Sequence, residues 1–104
     1  MNAVSRGFND IIHPQPRLSI MAMLAAAERL EFGYIRDSIG LSDSALSKQL
    51  STLEQAGYLE IKKSHLGRVR WTYVQLTHGG RLALGAHVHA LQTLLAVADP
   101  PPVS

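Results

Sequence analysis

The sequence predicts a mainly α fold that carries one small β-hairpin, and three stretches predict it. Residues 41–63, LSDSALSKQLSTLEQAGYLEIKK, read as a helix that stops at a glycine and turns at once into a strand. Residues 58–62 and 70–76 alternate in polarity on either side of a loop that contains Gly67, which is the pattern of two paired, half-buried strands. Residues 82–98 contain no charged side chain, so a long final helix there must be covered on more than one side. A chain of 104 residues is one domain by length, and a single core is feasible at this size without disulfide or metal staples.

The elements follow in order. Residues 1–16 are an N-terminal arm in which Phe8, Ile11 and Ile12 stand at i, i+3 and i+4, enough for an amphipathic turn that docks on something apolar. His13-Pro14-Gln15-Pro16 breaks it, because a proline disfavours a helical residue before it. Pro16 suits the start of the next helix, where its missing N–H costs nothing. That helix is predicted over 17–30, RLSIMAMLAAAERL, and from Leu18 to Ala27 only Ser19 is polar. Part of the cover for so apolar a helix can come from a second chain. Residues 32–39 form a short helix with Phe32, Ile35 and Ile39 inward, ended by Gly40.

Gly40-Leu41-Ser42 is a tight turn into the following helix. Ser42 is a good N-cap, and Asp43 places negative charge at the positive end of the helix dipole. Leu46, Leu50 and Leu53 make the inner face, and Gly57 sits where a left-handed C-terminal residue is wanted. Helix, tight turn and capped helix together are a helix-turn-helix, and the hairpin that follows, with its loop at 63–69, is a wing. Thr77 can cap the last helix, predicted over 78–97, and Gly80 falls on its inward side as a close-packing site against the hairpin. Leu84, Val88, Leu91 and Leu95 form one apolar seam. The proline-rich tail, 99–104, is expected to be disordered.

Composition narrows the function. The formal charge is +2, but Lys62, Lys63, Arg68, Arg70 and Arg81 fall in a window, 61–81, that holds no acidic residue. One cationic surface on a near-neutral chain is an electrostatic footprint for nucleic acid. The chain has no cysteine, which excludes disulfides and thiolate metal sites. No secretory signal pattern opens it, so the expected location is cytoplasmic. Residues 82–98 are too short, and too interrupted by His87, His89, Gln92 and Thr93, to cross a membrane. His87 and His89, two apart, face different sides of a helix and read as polar residues bordering an apolar one. No metal site is expected. No nucleophile has a visible histidine and carboxylate constellation, and no glycine-rich loop has phosphate-binding form, so an enzyme is not expected.

The motifs line up in a familiar order. They run His13-Pro14, Arg17-Leu18, Ile20-Met21, then 41–50 (LSDSALSKQL), 53–59 (LEQAGYL), Lys62-Lys63, Gly67-Arg68 and 76–81 (LTHGGR). This combination resembles compact winged helix-turn-helix transcriptional regulators of the MarR/ArsR-like kind, over roughly residues 11–95. The resemblance implies a winged helix-turn-helix at 17–76 and a C-terminal dimerisation helix at 77–98, the terminal helices forming the dimer interface. It also implies a homodimer whose two recognition helices enter successive major grooves. Relatives are often switched by a small molecule or metal. No sensor motif carries over onto these positions, so no cofactor is assigned and any effector is unknown.

Within that frame the outer face of the recognition helix carries Ser44, Ser47, Lys48, Ser51 and Gln55, with no carboxylate among them. Ser44, Ser47 and Lys48 lie in its first turns, where such helices contact base edges. Lys48 can read guanine or simply bind phosphate. Gln49, at the border of the apolar face, either reaches adenine or holds the helix in place. Ser51 and Gln55 fall nearer the phosphate backbone. On the wing, Arg68 and Arg70 straddle the tip and suit a narrow minor groove. Lys62, Lys63 and His65 would bind phosphates, as would Arg17 at the start of its helix. Trp71 and Tyr73 are expected to pack rather than to stack on bases, and Arg81 is open between a structural hydrogen bond and a phosphate contact. The expected dimer interface is Phe8, Ile11, Leu18, Leu84, Val88, Leu91 and Leu95. The function so predicted is a sequence-specific regulator, most simply a repressor, that binds a pseudo-palindromic site in double-stranded DNA. The alternative is a winged-helix module that binds a protein partner through its apolar terminal helices.

Overall fold

The computed structural model describes residues 6–98, so the first five residues of the arm and the tail at 99–104 lie outside it. Its elements are α1 (Gln15–Ala25), β1 (Leu30–Glu31), α2 (Phe32–Ile39), α3 (Asp43–Gln55), β2 (Leu59–Leu66), β3 (Val69–Leu76) and α4 (His78–Ala98). The three strands form one antiparallel sheet in the order β1-β3-β2. Leu30 pairs with Val74, and Leu59 with Leu76.

The core lies between α1, α2, α3 and the base of the sheet. Ile20, Met21 and Leu24 of α1 meet Ile35 of α2, Leu46, Leu50 and Leu53 of α3, and Leu59, Val74 and Leu76 of the sheet. Ile12 of the arm is wholly buried among them. The arm forms a single turn closed by His13 N–H donating to the Asn9 carbonyl at 2.9 Å. Asn9 Oδ1 accepts from the backbone N–H of both Ile11 and Ile12 at 3.0 Å each, a local side-chain cap of the kind asparagine favours in turns.

Two expectations are corrected. The helix predicted over 17–30 spans Gln15–Ala25 instead, and residues 30 and 31 leave it to become β1. Residues 25–30 carry no proline or glycine to stop a helix; the stop is tertiary. Arg81 donates from its two terminal nitrogens to the carbonyls of Ala25 and Ala27, at 3.3 Å each, which satisfies helix-end acceptors that would otherwise need the next turn. Leu30 is thereby released to pair across to Val74. The hairpin is also longer than predicted. The loop expected at 63–69 is mostly strand, and only Gly67 and Arg68 make the turn. Gly67 has φ of 65°, and a glycine at the first position of a two-residue turn lets the connection follow the twist of the strands.

The close-packing role expected of Gly80 is met at the foot of the hairpin. A Cβ on Gly80 would stand 1.9 Å from the carbonyl oxygen of Tyr58, backbone that no rotamer change can move aside. Gly80→Ala is therefore expected to cost about 3 kcal/mol or more, read as a drop in the urea midpoint with an unchanged slope. Gly85→Ala, where an added Cβ meets nothing within 4 Å, is expected to be neutral or slightly stabilising.

Candidate nucleic-acid interface

The recognition helix α3 is set at its N-terminus. Ser42 Oγ accepts from the Ala45 N–H at 3.1 Å, the cap expected of it. Arg36 of α2 donates to Asp37 and to Asp43, at 2.8 Å each. Hydrogen bonds donated to Asp37 first, then to Asp43, hold the guanidinium well above its ordinary value, and Arg36 in turn lowers the Asp37 carboxyl. The pair ties α2 to the first residue of α3. At the other end Gly57 adopts φ of 82°, and its N–H donates to the Glu54 carbonyl at 2.9 Å.

With Leu46, Leu50 and Leu53 facing the core, the 3.6-residue repeat divides the rest of α3 into three rows. Ser44, Lys48, Ser51 and Gln55 are exposed in the row opposite the core. Asp43, Ser47 and Glu54 form a second row toward the hairpin. There they line an open groove of about 580 Å³ with Phe32, Leu50, Ile61, Lys63 and Thr72. Ala45, Gln49 and Thr52 form the third, toward α1. The carboxylate-free outer face expected for α3 thus holds for its central row and fails beside it. Glu54 is exposed in line with Ser47, where its Oε2 accepts from the Ile61 N–H at 3.3 Å. That N–H belongs to an edge strand and has no partner within the sheet on its open side, so a neighbouring carboxylate is a natural acceptor. The spacing of Ser47 and Glu54, two helical turns apart, was legible in the sequence and marks the row that meets the wing.

The register of the hairpin sorts its basic residues. Residues paired across an antiparallel ladder share a face, so Lys63 with Thr72 and His65 with Arg70 lie on the same face as the core pair Ile61 and Val74, and hence toward α3. Lys62 pairs with Tyr73 on the reverse face, where its Nζ is 3.7 Å from Glu60. The phosphate role expected of Lys62 is therefore at odds with its placement. Arg68 is exposed in the turn itself. Trp71 and Tyr73 stack on the reverse face at 6.4 Å between centroids, and the Arg29 guanidinium lies 5.1 Å from the Tyr73 ring. Tyr73 is half-buried between Trp71 and Arg29, whereas Trp71 is exposed, so the packing expected of both aromatics is seen for Tyr73 alone.

Two further expected contacts are turned inward. Arg17 donates through Nε to the Ile11 carbonyl and through Nη1 to Gln49 Oε1, the latter at 2.9 Å. Of the two roles left open for Gln49, holding the helix is the one this geometry supports, and Arg17 is engaged by the protein itself. Arg81 likewise makes the structural hydrogen bonds described above.

The residues expected at a dimer interface separate into two groups. Leu84 is buried in the chain's own core and Leu18 packs against it, so neither presents a free surface. Phe8 packs on His13 and His87, with centroids 4.7 and 4.8 Å apart. Ile11, Val88 and Leu95 are exposed, as are Leu82, Leu94 and Val97, while Leu91 is half-buried. His87 departs from its reading as a border residue. It has no accessible surface, because position 87 lies on the same helical row as Leu84 and Ala90, and the arm, whose spacing predicts docking without naming the surface it docks on, closes over it. No group of three or more metal-ligating side chains occurs among the described residues.

A capped helix with a polar outer row, flanked by a basic hairpin on the same side, defines a winged helix, and comparison with known proteins agrees. Residues 17–95 match the family of winged helix DNA-binding domains, and the chain belongs to that family. An uncharacterized protein of Methanocaldococcus jannaschii is 34% identical over 88 residues, which is 84% of this chain and 90% of that one. A transcriptional regulator homologue from Pyrococcus horikoshii OT3 superposes with a TM-score of 0.81 at 24% identity, covering 86% of this chain and 88% of that one. The transcriptional regulator BldR from Sulfolobus solfataricus gives 0.67 at 21% identity, with 86% of this chain on 64% of that one. The fold is thus that of winged-helix transcriptional regulators, and the family is one of DNA-binding proteins rather than enzymes.

Glu54 is the test of how closely DNA approaches the groove. Glu54→Gln keeps an acceptor for Ile61 N–H and removes one negative charge beside Lys63. It is expected to tighten duplex binding about threefold at low salt, with the gain fading as salt screens it, measured by fluorescence anisotropy.

Proposed function

We propose that this protein is a homodimeric, cytoplasmic transcriptional regulator that represses by binding a pseudo-palindromic site in double-stranded DNA. The observation that carries the reading is the shared orientation of two surfaces. The exposed row Ser44, Lys48, Ser51 and Gln55, with Ser47 beside it, stands on the side of the sheet toward which Lys63, His65 and Arg70 also face, and Arg68 extends that surface at the hairpin turn. A helix row this free of bulk can enter a major groove, and the hairpin then falls on flanking backbone or minor groove. Serine hydroxyls pair with several bases and discriminate weakly, so one copy would bind DNA with little selectivity.

A second copy supplies the rest of the proposal. Val88 and Leu95 leave apolar surface on one side of the distal part of α4, with Leu94 and Val97 exposed on other sides, and Ile11 is exposed on the arm. Exposed apolar surface in contiguous patches marks an interaction site, and pairing α4 with its twofold mate would cover it by isologous contact. No helix among the described residues is long and apolar enough to cross a membrane.

Selection of bound sites from random duplex DNA tests site, symmetry and spacing together. Two half-sites about 10 base pairs apart are expected, with the purified chain sizing as a dimer. A monomer with no duplex affinity at low salt would instead support a protein-interaction module. Lys48→Ala is expected to relax preference at one base position by about 1–3 kcal/mol. Arg68→Ala should weaken all sequences alike and lower the slope of log K against log salt by about 0.9.

A further inference from the structure

One short segment joins the final helix to the recognition helix through successive hydrogen bonds. The Asn9 N–H donates to Nδ1 of the buried His87 at 3.0 Å. Gly7, just before it, lies flat on the same helix, with φ of 83° and space for a Cβ only 3.0 Å from the Ala86 carbonyl oxygen. The Asn9 side chain then builds the turn at Ile11 and Ile12, and its Nδ2 donates to the Tyr58 hydroxyl at 2.8 Å. That turn presents the Ile11 carbonyl to Arg17 Nε, and Arg17 Nη1 reaches Gln49 on α3. A guanidinium only donates, so the carbonyl end of Gln49 must face Arg17.

We infer that residues 9–17 act as a strut that couples the state of His87 to the seating of the recognition helix, so that protonating this histidine weakens binding to duplex DNA. The inference rests on the DNA-binding reading and needs no second chain. An imidazole can accept from Asn9 only while Nδ1 is unprotonated. Its Nε2 faces His13 Nδ1 at 3.3 Å, and with Nδ1 taken as acceptor the Nε2 proton points there. The imidazolium has two donors and no acceptor. Protonation therefore sets a donor against the Asn9 N–H and leaves a charge where no water reaches it. Phe8 closes the site over both histidine rings. Among the described residues, the titratable groups facing His87 are Asp10 and His13 from the arm, with Tyr58 reached through Asn9.

The direction follows from those neighbours. Burial first, then the charge of His13, holds His87 below the ordinary imidazole range, and Asp10 only partly opposes them. With the arm released, His87 returns to its ordinary value, about 6.5. The strut is therefore fully engaged above that pH and is lost as pH falls through the depressed value of the engaged state. Between the two values the ratio of engaged to released arm drops about tenfold per pH unit.

The test measures affinity of the full chain for a selected duplex site, at fixed salt, from about pH 8 to about pH 5.5. His87→Asn keeps a neutral acceptor within reach of the Nδ1 position and cannot titrate. Whatever else acidification changes outside this site changes in both proteins, so the quotient of wild-type to variant affinity isolates His87. That quotient is expected to fall about fivefold or more on acidification. A quotient constant within about twofold, with tight binding at pH 8, overturns the strut alone, and wild type that binds no duplex at pH 8 overturns the DNA-binding reading with it. Arg17→Gln reports independently should His87→Asn not fold. It cuts the far link, and it is expected to weaken binding at pH 8 and to lose the acid-dependent decline. Retention of the full wild-type pH profile in that variant also overturns the proposal.

Discussion

The structure depends on one close approach of backbone to backbone, between Gly80 at the start of α4 and Tyr58 at the foot of the hairpin. Thr77 N–H donates to the Tyr58 carbonyl at 3.1 Å, Thr77 Oγ1 donates to the Gly57 carbonyl at 2.6 Å, and Gly80 N–H returns to Thr77 Oγ1 at 2.9 Å. Four elements meet there: the end of α3, the start of β2, the end of β3 and the start of α4. The knot fixes the angle between recognition helix and hairpin, because both leave from the same few residues. It tolerates no side chain at position 80, since the atoms in the way are backbone.

From that junction the two functional surfaces diverge. On one side lie the polar outer row of α3 and the face of the hairpin that carries Lys63, His65 and Arg70. On the other, α4 runs out past its last core residue, Ala90, with apolar side chains exposed. The arm bridges the two, since Asn9 bonds to both His87 and Tyr58. Part of the chain's charge is spent internally. Arg36 sets the start of α3, Arg81 ends α1, and Arg17 holds Gln49. Surface hydrogen bonds and ion pairs of this kind contribute little stability individually, and their value here lies in the orientation they give to neighbouring elements. A formal charge of +2 therefore understates how localised the free cations are, with Arg68 and its neighbours at the wing.

Much of this was legible in the sequence because it is local. Ser42, Gly40, Gly57 and Thr77 mark helix ends through hydrogen bonds within a few residues, and all four act as their chemistry predicts. The leucine repeat at 46, 50 and 53 and the alternation at Val74 and Leu76 give the buried faces by period alone, and residues 32–39 are a helix with the expected bounds. What tertiary structure alone decided lies where a local preference meets a distant partner. Residues 26–30 have good helical composition, yet the chain leaves the helix because Arg81 satisfies its last carbonyls and β3 offers a ladder to Leu30. Arg17 and Lys62 look like free cations in the sequence, but one is turned to Gln49 and the other lies behind the hairpin beside Glu60. His87 reads as a border residue by spacing, and it is buried only because an arm that begins about eighty positions earlier in the chain folds over it. Periodicity reports which side of an element is apolar; it cannot report which polar atoms a distant segment will meet, and that is where the recognition helix acquires its support.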